Sequence, residues 1–590
     1  MSKENNLNEL LNQGQSLIKS KEFDKALLVY EEIIKIDNLN HQAITRLPII
    51  YLMKERYKDS IEMINRSFKL VKPVIGDYQN LASAYLALKD YDNAINSYKK
   101  VVEINPNNLE IYKILGDTQM KIADYQEAVD SYRNALKLSP DQFQQLFDYG
   151  ASLLYTNKTM EALEVLKNAL KIKPDHLECM NKIASSLSTV QDYKASKAMY
   201  QKLMTLAPDS LPPIIGYAAC LMFEGKYDES INTLEETLEK KPDDIGVRSN
   251  LSLLYLAKKN FKEGWKHYDS RILYRNKIDV TKRHDKLKEI FDIDLDKKEL
   301  KISDKIIILL DAGIGDAILC LSMLKEFYKE YKNISMEVDY RLVGLCKRSF
   351  PEMQFYPVRE NKHEMITEYD LSQFNKGIYW MSMGKYVRQK IENFPKKNIA
   401  YLKPNDNKVK EIEQKLNKDK SIVCGLSWKS SGVSGRYKTA SLEKLIPILS
   451  INNIRFIDLQ YETKNNLVKT SFEKKKLHKN HNIKIEEYKG VDKLDDIDGL
   501  TALIENCDIV VTASNVTAHI AGGLGKKTFL FVPFSQGRLW YWQEEGDKSI
   551  WYPNVKIFRA ESTDNLEGWE NEWGTTFEKM AQEIKKELKL

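Results

Sequence analysis

The chain of 590 residues has six cysteines, Cys179, Cys220, Cys320, Cys346, Cys424 and Cys507, scattered without a C-x-x-C pair and without a histidine at ligand spacing. That excludes a disulfide framework or a zinc site and predicts buried thiols in a reducing compartment. There is no run of 18 apolar residues, so no membrane helix is expected. The start, Met1-Ser-Lys-Glu-Asn-Asn, lacks the apolar stretch of a signal peptide, and a cytoplasmic protein is expected. Charge is not of one sign. The 90 basic and 84 acidic residues are interleaved and leave a net +6, too little to argue for nucleic acid. With 43% apolar residues the length suffices for several domain cores.

Proline is also sparse, but five of its 16 copies stand in register: Pro106, Pro140, Pro174, Pro208 and Pro242, each 34 residues after the last. The same interval carries Gly116 and Gly150 in one slot, with Ala82, Ala184 and Ala218 in the same place elsewhere. It carries Ala26, Ala94, Ala128 and Ala162 in a second slot, and Tyr30, Tyr98, Tyr132 and Tyr200 four positions further on. Small residues mark close helix approach, and 34 residues is the length of a tetratricopeptide (TPR) helix pair. The frame runs back through a degenerate repeat, His41 to Val71, to Gly14, Ala26 and Tyr30, where Asn38 replaces the proline. It runs forward to Ser252, Gly264 and Tyr268 and stops near Arg271. Residues 1–270 are thus read as about eight repeats, the last truncated, with 271–300 as a charged connector. Such arrays hold extended or helical segments of other proteins, and a bare spacer remains the alternative.

Beyond Lys301 the pattern changes to alternating strands and helices. Ile306–Leu310 reads as a buried parallel strand, followed by Asp311-Ala-Gly-Ile-Gly-Asp316 and a helix. Gly313 and Gly315 allow a tight turn with amides aimed at a ligand, but Ile318 stands where a dinucleotide fingerprint needs its third glycine. Asp316, at the mouth of the strand, is a general base or a helix cap. A second strand, Ile422–Trp428, holds Ser427 and leads into a loop with Lys429, Arg436 and Lys438. These cations suit a phosphate leaving group, although a solvated basic loop would look similar. A third strand exits at Gln460, and a fourth leads into Ser514-Asn515-Val-Thr517-Ala-His519, whose hydroxyls and amides make a phosphate cradle at a helix start. Asp292-Ile-Asp294 and Asp496-Ile-Asp498 read as structural, with Asp498 placed as a helix cap. No metal site is expected.

Gly264-Trp-x-x-Tyr268-x-x-Arg271, Gly313-Ile-Gly-Asp316, Tyr401-Leu-Lys-Pro404, Gly425-Leu-Ser-Trp-Lys429, Asp458-Leu-Gln460, Ala518-His-Ile-Ala-Gly522 and Trp551-Tyr-Pro553 resemble, in this order, bacterial TPR-containing glycosyltransferases of GT-B type. Their catalytic half is similar to heptosyltransferases and more distantly to O-GlcNAc transferase, and the loops look most like flagellin glycosyltransferases that attach a nonulosonic sugar. The resemblance implies an all-α TPR superhelix followed by an α/β GT-B fold with two Rossmann-like lobes, 301–405 and 406–590. It implies an inverting, metal-independent transfer from a nucleotide sugar, with CMP as a candidate nucleotide, to Ser/Thr hydroxyls of a protein, with flagellin as the expected acceptor. No other cofactor is expected. Asp316 and His519 would be catalytic. Gly313, Gly315, Ser427, Lys429, Arg436, Lys438, Gln460, Ser514, Asn515 and Thr517 would bind the donor.

Ser514-Asn515 departs from the Asp-Thr pair of the relatives, so the donor can differ. An asparagine ladder along the array is also incomplete: Asn12, Asn80 and Asn250 match, while Arg46, Ile114, Asp148, Lys182 and Gly216 do not. That favours a dedicated client. The alternatives are a non-catalytic adaptor or chaperone that keeps the GT-B scaffold, and a transferase acting on a glycan or lipopolysaccharide.

Overall fold

Helix pairs begin the chain and two sheets follow, in a computed structural model that describes residues 3–272, 300–360, 365–367, 369–416, 421–430, 435–461, 464–534, 536–543, 545–561 and 573–590. It divides into two compact units, Met1–Pro208 and Asp209–Leu590. No helix among the described residues is long and apolar enough to cross a membrane. The six cysteines are free and buried.

The first unit holds six helical hairpins among the described residues, from Lys3–Lys19 with Phe23–Ile36 to Leu177–Thr189 with Tyr193–Leu206. Second helices end at Ile104, Leu138 and Ile172, two residues before Pro106, Pro140 and Pro174. The residue before a proline is driven out of the helical region, so each proline sets a stop. The small slots have a steric cause: a Cβ on Gly116 would lie 2.6 Å from the Tyr132 ring, and one on Gly14 would lie 2.8 Å from Tyr30. Each hairpin turns through a left-handed residue, and these also recur every 34 positions: Lys21, Glu55, Lys89, Ala123, Asn157 and Gln191. None of these six is glycine, so this part of the period was invisible to a search for turn residues.

The second unit opens with two more hairpins, Leu211–Phe223 with Tyr227–Lys240 and Ile245–Ala257 with Phe261–Tyr268. Their turns use Gly225 and Lys259, in the same left-handed register. Two sheets follow. The first contains β1 (Ile306–Leu309), β2 (Ile334–Asp339), β3 (Gln354–Glu360), β4 (Met365–Thr367) and β5 (Lys376–Tyr379), in the order β4-β3-β2-β1-β5. Only β4 is antiparallel to its neighbour. The second contains β6 (Ile422–Ser427), β7 (Ile454–Asp458), β8 (Ile485–Glu486), β9 (Ile509–Ala513), β10 (Lys527–Val532) and β11 (Val555–Arg559). Its order is β11-β10-β9-β6-β7-β8, parallel throughout. The strand order reverses between β6 and β9, and such a reversal opens a crevice at the strand ends where doubly wound sheets take ligands.

The last hairpin of the array packs into the core of the sheets. Trp265 donates its indole N–H to the carbonyl of Arg388 at 2.7 Å, and a Cβ on Gly384 would lie 2.3 Å from the indole. Phe261 meets Phe394 with ring centroids 4.6 Å apart. Leu256, Phe261, Trp265 and Tyr268 belong to the same hydrophobic core as the strands β1 and β2. The compact division falls at 208/209, so the last two hairpins of the array are grouped with the sheets. The connector, from 273 to 299, lies outside the described residues, as do Asp292 and Asp294.

Candidate functional site

Three loops meet at the C-terminal ends of β1, β6 and β9 around a cleft of about 330 Å³, lined among others by Gly313, Gly315, Asp316, Lys438, Ser514, Asn515, His519 and Tyr541. Seven of these eight belong to the donor and catalytic sets expected from sequence, and come from segments as much as 200 residues apart. Tyr541 is the eighth.

Asp316 stands in the first turn of the Ile314–Glu330 helix, whose N-cap is Gly313. It is therefore not the capping residue. Its carboxylate accepts a hydrogen bond from the Tyr541 hydroxyl, and burial, followed by the charge of Asp316, pushes the Tyr541 phenol well up. A carboxylate in the first helical turn also gains from the helix dipole. Gly315 has a steric role: a Cβ there would lie 2.9 Å from Cδ2 of His519, so glycine lets the two helix starts close on each other.

Lys438 ends the short Gly435–Lys438 helix and is only 7% exposed. Among the described residues its ammonium has no hydrogen bond or ion pair. Burial pulls its pKa down, and attraction from Asp316 partly offsets this. A buried cation without a partner costs several kcal/mol, and an anionic ligand in the cleft would relieve that cost.

His519 is 2% exposed. Its Nδ1 lies 3.0 Å from the Tyr552 hydroxyl, and its ring stacks on Trp542 at 5.2 Å and 28°. Burial first, then Lys438, lowers its pKa to about 3, so the imidazole is neutral. Ser514 accepts from the Trp542 indole at 2.9 Å, which ties the turn after β9 to the aromatic segment carrying Tyr541.

The remaining expected residues build the walls. Gln460 Oε1 accepts from Ser427 Oγ at 3.2 Å and from the amides of Trp428 and Lys429 at 3.0 and 2.8 Å. Asn515 donates to Ser427 Oγ at 2.8 Å and to the Lys429 carbonyl at 2.9 Å, while its Oδ1 accepts from Thr517 N at 3.0 Å. With both ends of its amide engaged, Asn515 holds the exits of β6 and β9 together. Thr517 is buried, and its hydroxyl has no partner among the described residues. Lys429 differs from expectation: its ammonium bonds Thr470 Oγ1 and Glu473 Oε2, both at 2.8 Å, and it does not line the cleft. The side chain of Arg436 lies outside the described residues.

Sequence reasoning missed Arg341, Tyr461, Lys493 and Leu494, which also line the cleft. Arg341 is held by Asp339 at 2.8 Å and Lys493 by Asp458 at 3.2 Å, so Lys438 differs from both in lacking a carboxylate at ion-pair distance among the described residues. Nothing periodic marks these positions. The expected cap also moves: Asp496 is the N-cap of the Ile497–Glu505 helix, accepting from Gly499 N at 2.8 Å. Asp498 instead forms a two-pronged pair with Arg348. Among the described residues no group of three or more metal-ligating side chains is assembled.

Models of the tetratricopeptide repeat match residues 78–108, 109–142 and 190–254, so the 34-residue hairpins are TPR repeats. The chain is similar to protein FlbA of Caulobacter vibrioides, 24% identical over 387 residues, which is 63% of this chain and 62% of that protein. It is also similar to heat shock protein STI1 of Saccharomyces cerevisiae, 27% identical over 101 residues, 17% of each. The chain thus spans less than two thirds of the length of either relative. Among solved structures it matches YrrB, described as a TPR protein with an unusual peptide-binding site, at 20% identity and a TM-score of 0.27, over 30% of this chain and 96% of that one.

Proposed function

We propose that the chain is a GT-B glycosyltransferase that moves a sugar from a nucleotide donor to Ser/Thr hydroxyls of a protein held by its TPR repeats. The observation that carries this reading is Lys438, a buried ammonium that makes no hydrogen bond or ion pair among the described residues and shares a cleft with Asp316 at the strand ends of the two sheets. A scaffold without catalysis has no use for such a cation, whereas a departing phosphate does. Asp316, positioned by Tyr541, takes the proton of the acceptor hydroxyl. The new bond from that oxygen to the anomeric carbon forms as the bond from that carbon to the phosphate oxygen breaks. Lys438 meets the charge that develops on the phosphate, and neutral His519 closes the cleft beside it. On the resemblance described above, the acceptor proposed is flagellin and the sugar a nonulosonic acid.

The test is the intact mass of flagellin from cells carrying the natural protein, Asp316→Asn or neither. The natural protein is expected to add the mass of one or more sugars. Asp316→Asn keeps the size of the side chain but cannot take a proton, and transfer should fall by roughly two to four orders of magnitude. Identical masses in all three would reject the reading.

A further inference from the structure

The last repeat ends beside the mouth of β1 in a line of four alternating charges. Lys385 pairs with Asp269, Asp269 with Arg271 at 3.3 Å, and Arg271 with Asp311, while Ser382 Oγ donates to Asp269 Oδ1 at 2.6 Å. Arg271 lies over the Tyr268 ring, its guanidinium carbon 3.9 Å from the centroid, which leaves the N–H edge for other partners. Nη1 donates to the Tyr268 carbonyl at 3.1 Å and to Asp269, and Nη2 donates to Asp311. The side chains of Arg271 and Asp311 are 17% and 9% exposed, so water does not replace a lost partner. Asp311 stands at the root of the turn that leads from β1 into the Ile314–Glu330 helix. Its neighbour is held too: the amide of Leu310 donates at 2.8 Å to Glu337 Oε2 on β2, and Glu337 is fully buried. The tip of the turn is open by contrast. A Cβ on Gly313 would meet nothing within 4 Å, and the residues from Gly313 to Asp316 line the cleft.

We infer that Arg271 is a positioning residue for the cleft: a guanidinium supplied by the end of the repeat array that fixes, through Asp311, the turn on which Asp316 stands. That Asp316 is the base rests on the proposed function; the grip of Arg271 on the turn does not. A buried ion pair adds little net stability compared with an apolar pair of the same volume, because desolvation offsets the attraction. What the pair supplies here is direction. Leu310 and Asp311 are anchored to different elements, and the space at Gly313 is open, so the course of the turn into its helix is set at the root.

Residue-resolved amide hydrogen exchange on the full chain tests this. The amide of Leu310, bonded to Glu337, and that of Ala317, bonded to the Gly313 carbonyl at 3.0 Å, report the two ends of the turn. Arg271→Met keeps an unbranched side chain but no charge. Both amides should then exchange at least about tenfold faster, the worth of one hydrogen bond to a charged group, while those of β6 and β9 stay within about twofold of the natural protein. Asp311→Asn, which leaves Arg271 paired with Asp269, should release the turn in the same way and carries the test where Arg271→Met does not fold. Unchanged exchange at Leu310 and Ala317, or equal acceleration in β6 and β9, overturns the inference. Flagellin supplies a second arm. Cells holding Arg271→Met at the abundance of the natural protein should add at least about tenfold less sugar to it, because a misplaced base loses its alignment with the acceptor; full sugar occupancy overturns the inference as well. A natural protein that adds no sugar counts against the proposed function and leaves the exchange measurement decisive for Arg271.

Discussion

Trp265 and Arg388 are 123 residues apart in sequence, yet the indole N–H of one bonds the main-chain carbonyl of the other at 2.7 Å inside the core. The aromatic contacts continue from Trp265 to Trp540 at 5.6 Å and from Trp540 to Tyr541 at 5.6 Å, and Tyr541 bonds Asp316. The last repeat thus forms part of the wall that positions the candidate base.

Trp265→Ala removes a buried indole and its hydrogen bond, and should destabilise the second unit by about 3–5 kcal/mol. Chemical denaturation of the full chain, followed by tryptophan fluorescence, measures this. A fragment starting at 301 should aggregate where one starting at 209 folds. Equal solubility of the two fragments would show that the last two hairpins are dispensable.

The two lysines that follow β6 should behave differently. Lys438→Met should weaken pyrophosphate binding by at least about tenfold while leaving the unliganded protein as stable or more so, because a desolvated charge is removed. Lys429→Ala should reduce pyrophosphate binding little, since its ammonium is held by Glu473 and Thr470. Calorimetric titration of both variants checks the contrast, and the reverse ranking would return Lys429 to the site.

Acid should act through His519. Its folded pKa of about 3 lies below the ordinary value of 6.5, so between these values the unfolded chain binds a proton that the folded one refuses. Stability therefore rises with pH across that window and is lost on acidification, by a few kcal/mol at most for this group. His519→Gln should flatten the dependence of unfolding free energy on pH between about 6.5 and about 3 relative to the natural protein. Parallel curves for the two would mean that the ring titrates normally.

Ala123 turns the Leu109–Lys121 helix into the Tyr125–Leu138 helix with φ of 59°. Left-handed backbone costs an L-residue roughly 1–2 kcal/mol, which glycine avoids. Glycine loses part of that gain by its greater freedom in the unfolded chain. Ala123→Gly should raise the stability of the first unit by up to about 1 kcal/mol, read as a later denaturation midpoint. A loss of stability would mean that the unfolded-chain term dominates.

Sequence alone determined the repeat array, because helix-pair packing imposes its period on every residue that touches the neighbouring helix: Gly116 exists for Tyr132, and Pro106 for the helix stop. It also determined the loops of the cleft, since strand, glycine turn and helix succeed one another locally at Ile306–Leu309, Gly313 and Ile314–Glu330. Tertiary structure decided what no local pattern records. Lys429 and Lys438 lie in one loop and look equivalent in sequence. A helix some forty residues further on captures the first with Thr470 and Glu473, and the second is left to the cleft. The packing of the last repeat was decided in the same way, because Trp265 occupies its periodic place while its indole is buried by Gly384 and Arg388.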